Sequence, residues 1–346
     1  MPSFADVQTS NATYAPSYVP VAVFTGGTSG IGKAMAEAFA RYTKGRAHII
    51  IIGRNRAAGE AIIASFPKPT DTKDGWKHEF VSCDAALMSN IRSTCADLID
   101  RLPRINYLVL AAGYASATST EKTSEGLDRQ LALRYYSRYV FISSLLPLLI
   151  KAHESGQDAR VMSVLGGGRG SSYPVDLSDL GLEKARSKTF GFGAAKTAFQ
   201  SPGYNDMMVV YFASKNPSIA FTHIFPGIVK TPAWQTGLDF GWFFKPLTWI
   251  LLAILGPFYV TAEFCAEHML YALLDREKGV FFRNDTGDIV GSHVFDQSHL
   301  HIYDSDSDSP TYEKKGLIDG TPVAGYGGSD MGVRLLNLHT EEVIKT

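Results

Sequence analysis

Cysteine is nearly absent: three residues in 346, at positions 83, 95 and 265. The number is odd and the spacing is too wide for a metal knuckle, which excludes a disulfide scaffold and a zinc finger. Cys83, Cys95 and Cys265 are therefore expected to be reduced core residues of a cytoplasmic protein, and no metal site is expected. A dominant charge of one sign is also missing. With 33 basic and 34 acidic residues the formal net charge is -1, so nucleic acid and anionic bilayers are not favoured as bulk electrostatic partners. The N-terminus lacks the basic start and apolar run of a secretory signal, and Pro16 and Pro20 interrupt it. Residues 1–17 are expected to be a flexible lead-in. Two glycosylation-type triplets, at Asn11 and Asn284, would need a secretory route and carry no weight. No internal repeat is visible, and the only biased stretch, Asp-Ser alternation over 304–309, reads as a solvated loop. A spanning segment is missing too. The most apolar stretch, 240–260, is broken by Lys245, Pro246, Gly256 and Pro257, short of the roughly 20 residues a bilayer requires.

What is present is a regular alternation. Apolar runs of strand length alternate with segments of helical period, the mark of a parallel sheet wrapped by helices. Strands are expected at Val19 to Thr25, His48 to Ile52, Lys77 to Val81, Asn106 to Ala111, Arg160 to Val164, Ala220 to Phe225 and Val280 to Phe282. Most are apolar throughout, as strands covered on both faces must be. A long helix is expected from about Gly126 to Ala152, where Leu127, Leu131, Tyr135, Ile142, Leu146 and Leu149 recur at helical multiples. The expected fold is α/β: a Rossmann-type, doubly wound parallel sheet of about seven strands in the order 3-2-1-4-5-6-7, forming one domain over 18–300. Residues 301–346 form a C-terminal extension, rich in glycine, that either wraps the domain or stays partly disordered.

The strongest local signal is Thr25-Gly-Gly-Thr28-Ser29-Gly30-Ile31-Gly32 between the first strand and a helix. A glycine turn lets backbone approach a diphosphate, and the helix behind it presents unpaired N–H groups and the positive end of its dipole. The spacing TGxxxGIG differs from the GxGxxG of other dinucleotide folds and closely resembles the short-chain dehydrogenase/reductase family.

Further stations of that family follow in order between about Val21 and Asp275. The resemblance implies a cofactor site made of Gly26, Thr28, Ser29, Gly30, Ile31 and Gly32 around the diphosphate. Arg54 and Asn55 fall at the adenosine ribose, Asp84 and Ala85 at the adenine, and Ala111, Ala112 and Gly113 at the NAG station. Pro226, Gly227, Val229 and Thr231 fall at the PGxVxT station near the nicotinamide. An arginine at position 54 can fork onto a 2′-phosphate where an acidic residue would take a free hydroxyl, so the expected cofactor is NADP(H); the alternative is a solvated loop arginine. Leu131-Ala-Leu-Arg-Tyr-Tyr and Asn216-Pro-Ser-Ile-Ala-Phe-Thr-His-Ile-Phe-Pro-Gly resemble a divergent fungal branch associated with secondary-metabolite pathways.

The family's chemistry uses a serine, a tyrosine and a lysine four residues after the tyrosine, because hydride transfer leaves an alkoxide that an acid must neutralise. Ser163 falls at the serine station. A literal YxxxK at Tyr211 to Lys215 lies only fifteen residues before Pro226, too near the helix end, and is rejected. Tyr204, taken to lie near a helix start after Ser201-Pro-Gly, is the expected proton donor, with Met208 where the lysine would be. Arg134 replaces an asparagine of the proton relay; it cannot accept a proton near neutral pH but can clamp an anion.

These residues imply an NADP(H)-dependent oxidoreductase, a ketone reductase or alcohol dehydrogenase, acting on a bulky hydrophobic small molecule. A cyclase or isomerase without net redox change and a non-catalytic binding protein stay open, because YxxxK is out of place. The segment 232–260 is expected to be an apolar substrate lid. Buried lid helix, homodimer interface and peripheral membrane contact through 240–260 are its alternatives.

Overall fold

The computed structural model describes residues 3–70, 75–113, 121–172, 174–184, 193–231, 259–274, 279–284, 286–293 and 326–345. The chain is organised around one sheet of eight strands in the order β3-β2-β1-β4-β5-β6-β7-β8. In sequence these are β1 (Val21–Thr25), β2 (His48–Gly53), β3 (Lys77–Ser82), β4 (Tyr107–Leu110), β5 (Arg160–Val164), β6 (Ala220–Ile224), β7 (Gly279–Arg283) and β8 (Ile289–His293). β1 to β7 are parallel, as the seven-strand expectation has it. β8 is added as an antiparallel hairpin partner of β7. Its sequence, Ile-Val-Gly-Ser-His, carries little β signal, so it escapes a reading based on apolar runs.

The helices are α1 (Phe4–Ala12), α2 (Gly30–Tyr42), α3 (Arg56–Ser65), α4 (Met88–Arg101), a composite α5, α6 (Gly193–Lys215), α7 (Ala262–Leu274) and α8 (Asp330–Val343). α5 starts as an α-turn at Arg129–Leu131, passes through a π-turn at Ala132–Tyr136 and continues as Ser137–Glu154. Two cores result from the period of two along each strand. Val21, Val23, Leu108, Val161 and Phe221 face α4, α5 and α6. Ala22, Phe24, Val109, Met162 and Ile224 face α2 and α7. Each such fully buried aliphatic or aromatic side chain contributes about 1.5–3 kcal/mol.

A helix lies at each end of the described residues. In place of a flexible lead-in, α1 starts with a capping box in which Ser3 Oγ accepts from the Asp6 N–H. It docks on α7 through buried Asn11, whose Nδ2 donates to Glu267 O and Oε2, both at 3.0 Å. The helix is too short and too weakly amphipathic for periodicity to reveal it; tertiary hydrogen bonds hold it. Within the C-terminal extension, α8 packs along α5. Tyr135 bonds Thr340 at 2.6 Å, Tyr136 bonds His339 at 2.9 Å and Tyr139 donates to Asn337 at 2.5 Å.

All three cysteines are free and buried. Among the described residues, no helix is long and apolar enough to cross a membrane, and no cluster of His, Cys, Asp or Glu could hold a metal ion.

Candidate active site

The strand order reverses between β2-β1 and β4-β5, and such a reversal opens a crevice at the carboxyl ends of the strands, where a cleft is found. Its walls come from the loop after β1, the ends of β2, β3 and β4, the π-turn of α5, the end of β5 and the Pro226–Thr231 segment. Gly26, Thr28, Ser29, Gly30, Ile31, Arg54, Asp84, Ala85, Ala111, Ala112, Gly113, Pro226, Gly227, Val229 and Thr231 all line it.

Two of the sequence-derived residues do not line the cleft: Gly32 is buried and Asn55 is exposed beside it. Gly32 backs the turn: a Cβ there would lie 2.6 Å from Gly26 O, so its role is close packing of α2 on the loop. Asn55 caps α3, its Oδ1 accepting from the Ala58 N–H at 3.0 Å. It shares the outer corner with Thr28, Ser29, Arg54 and Arg56.

The cradle suits an anion. Gly26 holds φ +71°, and a Cβ there would sit 2.6 Å from Ala112 N, so only glycine lets the first loop reach the end of β4. α2 begins at Gly30 with no side-chain cap from Ser29, leaving first-turn N–H groups and the dipole end for a ligand. Asp84 Oδ1 accepts from the Ala86 N–H at 3.0 Å, which fixes that carboxylate after β3. Arg54 is exposed at the outer end. Its neighbour Arg56 is held by Glu60 at 3.2 Å and lies over the Phe80 ring.

The two residues expected to act on the substrate lie elsewhere. Tyr204 is fully buried, donates to Leu180 O at 3.0 Å, stacks edge-on against Tyr135 and does not line the cleft. Burial pushes its phenol upward, opposite to what a proton donor near neutral pH needs. The misplacement has a plain cause. Pro202 does not start the helix but sits inside α6, which begins at Gly193, so Tyr204 is in mid-helix and faces the core. Ser163 is also buried and off the cleft surface, because alternation along β5 turns it toward α5 while Val164 faces the other way. Its hydroxyl accepts from Arg138 Nη1 at 2.6 Å and donates to Asn205 Oδ1 at 2.8 Å, so both roles are spent inside the protein. Among the described residues, no tyrosine or lysine lines the cleft.

What the sequence reading missed is a buried polar layer beneath the cleft. Arg138, 2% exposed, donates to Ser163 and to Ala112 O at 3.0 Å, while its Nε has no partner among the described residues. Asn205 Nδ2 donates to Arg134 O and Ser201 O, both at 2.9 Å. His223 Nδ1 donates to Asp206 Oδ1 at 2.6 Å, its Nε2 accepts from the Gly166 N–H at 3.1 Å, and Asp206 Oδ2 accepts from the Gly327 N–H at 3.0 Å. These partners fix a neutral imidazole against a carboxylate. Burial pushes the Asp206 carboxyl up, and the His223 and Gly327 donors pull it back. One signal was available: Asn205-Asp206 stands directly before the apolar run Met207 to Phe212, and polar pairs are buried there only when satisfied.

Of the expected lid, 232–258 lie outside the described residues. Its flanks meet at the cleft, where Val260 pairs with Val229 in a parallel bridge.

Comparison with known proteins places this architecture. Residues 20–175 match the short chain dehydrogenase family. The chain is 32% identical over 272 residues to the oxidoreductase andH of Emericella variicolor, covering 78% of this chain and 74% of that protein. It is 27% identical over 289 residues to the short-chain dehydrogenase/reductase SAT2 of Stachybotrys chartarum, covering 80% and 78%. Among solved structures, a short-chain dehydrogenase from Sphingobium yanoikuyae in complex with NADPH aligns with a TM-score of 0.54 at 19% identity, over 77% of this chain and 87% of that one.

Proposed function

This chain belongs to the short chain dehydrogenase family, whose members are oxidoreductases with nicotinamide cofactors, and from that premise we propose an NADP(H)-dependent enzyme that interconverts a ketone and an alcohol. Its substrate is a bulky hydrophobic metabolite of a secondary pathway, and its setting is cytoplasmic. The observation that carries the cofactor choice is Arg54. It stands exposed at the outer corner of the cleft beside Thr28 and Ser29, while Arg56 and Lys33 are engaged with Glu60 and Glu37. An adenosine 2′-phosphate there would meet a guanidinium able to fork onto it. The apolar composition of 240–260 supports the substrate class, and the same segment supports a homodimer contact or a membrane-surface contact.

The bound cofactor supplies or takes the hydride. Reduction leaves an alkoxide on the substrate, and with no tyrosine or lysine on the described cleft wall, water supplies its proton. Ser163 and Tyr204 are buried and do not line the described cleft, which supports a proton route that does not use them. The same lack of an acid favours a second reading, a cyclase or isomerase that uses the cleft without net redox change, with Arg134 polarising the substrate.

Replacing Arg54 by alanine is expected to weaken NADPH binding about 10- to 100-fold, the loss of charge-assisted hydrogen bonds of roughly 1.5–3 kcal/mol, and NADH binding less than twofold. Equal losses for both cofactors, measured by nucleotide fluorescence, would remove Arg54 from phosphate recognition. Product formation without matching NADPH oxidation would select the non-redox reading.

A further inference from the structure

Among the described residues, three charged residues line the cleft: Arg54 after β2, Asp84 after β3, and Arg134 in the π-turn of α5. Arg134 is placed there by two irregularities of the chain. It sits at the centre of the π-turn Ala132–Tyr136, a local widening that re-aims a side chain and recurs at functional sites. Across from it, Pro202 lies inside α6 and has no N–H to give to the carbonyl four residues back. That freed carbonyl, Ala198 O, accepts from Arg134 Nη2 at 3.3 Å, and Ser201 Oγ accepts from Arg134 Nε at 2.8 Å. One edge of the guanidinium, Nε with Nη2, is thus anchored to neutral oxygens. On the other edge, Nη1 and the second N–H of Nη2 have no hydrogen-bond partner among the described residues.

The charge itself is uncompensated. No ion pair joins Arg134 or Arg138 to a carboxylate among the described residues, and Arg138 lies one turn further along the same helix, buried, on neutral partners only. Burial lowers Arg134 to about 10. Burial first, and repulsion from Arg134 second, lower Arg138 to about 9. Both remain cations at neutral pH. Ser201 Oγ and Ala198 O are neutral acceptors that do not need a cationic donor, so tying α5 to α6 does not account for the charge. A half-buried, half-anchored guanidinium with an open fork is instead matched to a planar pair of oxygens carrying negative charge.

We infer that Arg134 is a carboxylate-binding residue of the substrate site, so that the hydrophobic substrate carries an anionic carboxyl group close to its reacting carbon. The inference rests on the reading of the cleft as a nicotinamide-dependent site, which puts the reacting carbon at the Arg134 end. Arg138 is a positioning residue: it holds Ser163 and Ala112 and adds positive potential behind the fork without touching the ligand.

The test uses two apolar probes of one shape, 2-naphthoate and 2-naphthamide, titrated calorimetrically into the full chain with and without saturating NADP+. The wild type is expected to bind the acid at least 10-fold more tightly than the amide. Arg134→Gln should erase that preference and change NADP+ affinity less than twofold. Arg134→Lys keeps the charge but loses the fork; it should weaken naphthoate about fivefold and leave naphthamide unchanged, which decides the matter should the glutamine variant fail to fold. Equal binding of acid and amide by the wild type overturns the inference. So does a parallel loss of NADP+ and naphthoate in Arg134→Gln, which would assign the residue to a cofactor phosphate. Failure of the wild type to bind NADP+ at micromolar concentrations would instead sink the proposed function, and the cofactor-free titrations would still decide for or against Arg134.

Discussion

Asp206→Asn tests whether the layer beneath the cleft is built as described. The wild-type carboxylate accepts two hydrogen bonds in a site that is 0% exposed: from His223 Nδ1 at 2.6 Å and from the Gly327 N–H at 3.0 Å. An asparagine offers one oxygen and one NH2 group. With the oxygen toward Gly327, the NH2 faces His223 Nδ1–H, and the imidazole can escape only by moving its proton to Nε2. That nitrogen already accepts from the Gly166 N–H at 3.1 Å, so the conflict moves to the loop after β5. With the oxygen toward His223, the Gly327 N–H meets the NH2 group. Every arrangement leaves one buried donor unsatisfied, at about 1–3 kcal/mol, and loses a charge-assisted bond worth about 1 kcal/mol more. For a chain of 346 residues the unfolding entropy near Tm is roughly 0.7 kcal/mol/K, so a loss of about 2–4 kcal/mol lowers Tm by about 3–6 °C. Differential scanning calorimetry at pH 7 measures it. A shift within about 1 °C would mean that the Asp206–His223 pair does not organise this layer.

Gly26→Ala should lower stability by about 2–5 kcal/mol, the sum of a left-handed residue at about 1–2 and a backbone clash at about 1–3, because its Cβ would meet Ala112 N at 2.6 Å and Ala112 Cα at 2.7 Å. Urea unfolding within 0.5 kcal/mol of wild type would place the two loops farther apart than described. Glu79→Gln tests the edge of the sheet, where His48 and Lys77 at 2.7 Å and Arg101 at 2.6 Å surround one carboxylate. Burial raises the Glu79 carboxyl, but those three donors outweigh it and hold it well below its ordinary value of 4.5. A lowered folded value means stability that is present above about pH 4.5 and lost as pH falls toward the folded value. The variant should therefore melt about 1–3 °C lower at pH 7, from roughly 1–2 kcal/mol, with the gap closing toward pH 3; a gap independent of pH would contradict the assignment.

How much of this was legible depends on the range of the interaction. The sheet, its strand order and the glycine turn were readable because each is written locally: an unbroken run such as Ile49 to Ile52 in β2, or TGxxxGIG after β1, has few other physical solutions. That these short motifs would line one cleft was readable from their order along the chain. Position within α6 was not readable, since a proline after Ser201 is the ordinary sign of a helix start, and here tertiary packing carries the helix straight through it. The docking of α1 was also invisible, because Asn11 finds Glu267 256 positions away.

Ser163 shows the deeper reason why motif matching failed at the chemistry. A residue's station along a strand says how close it comes to the cleft, but the period of two decides which layer it enters, and a shift of one position changes that layer. Ser163 and His223, paired across β5 and β6, both point toward α5 and α6 and were recruited there with Asn205, Asp206 and Arg138 into a satisfied buried network. Polar side chains that hold the scaffold in this way cannot also donate to a substrate. Among the described residues, the polar groups on the wall are backbone N–H groups, small hydroxyls, Asp84 and two guanidiniums. Such a set recognises and stabilises negative charge far better than it moves protons.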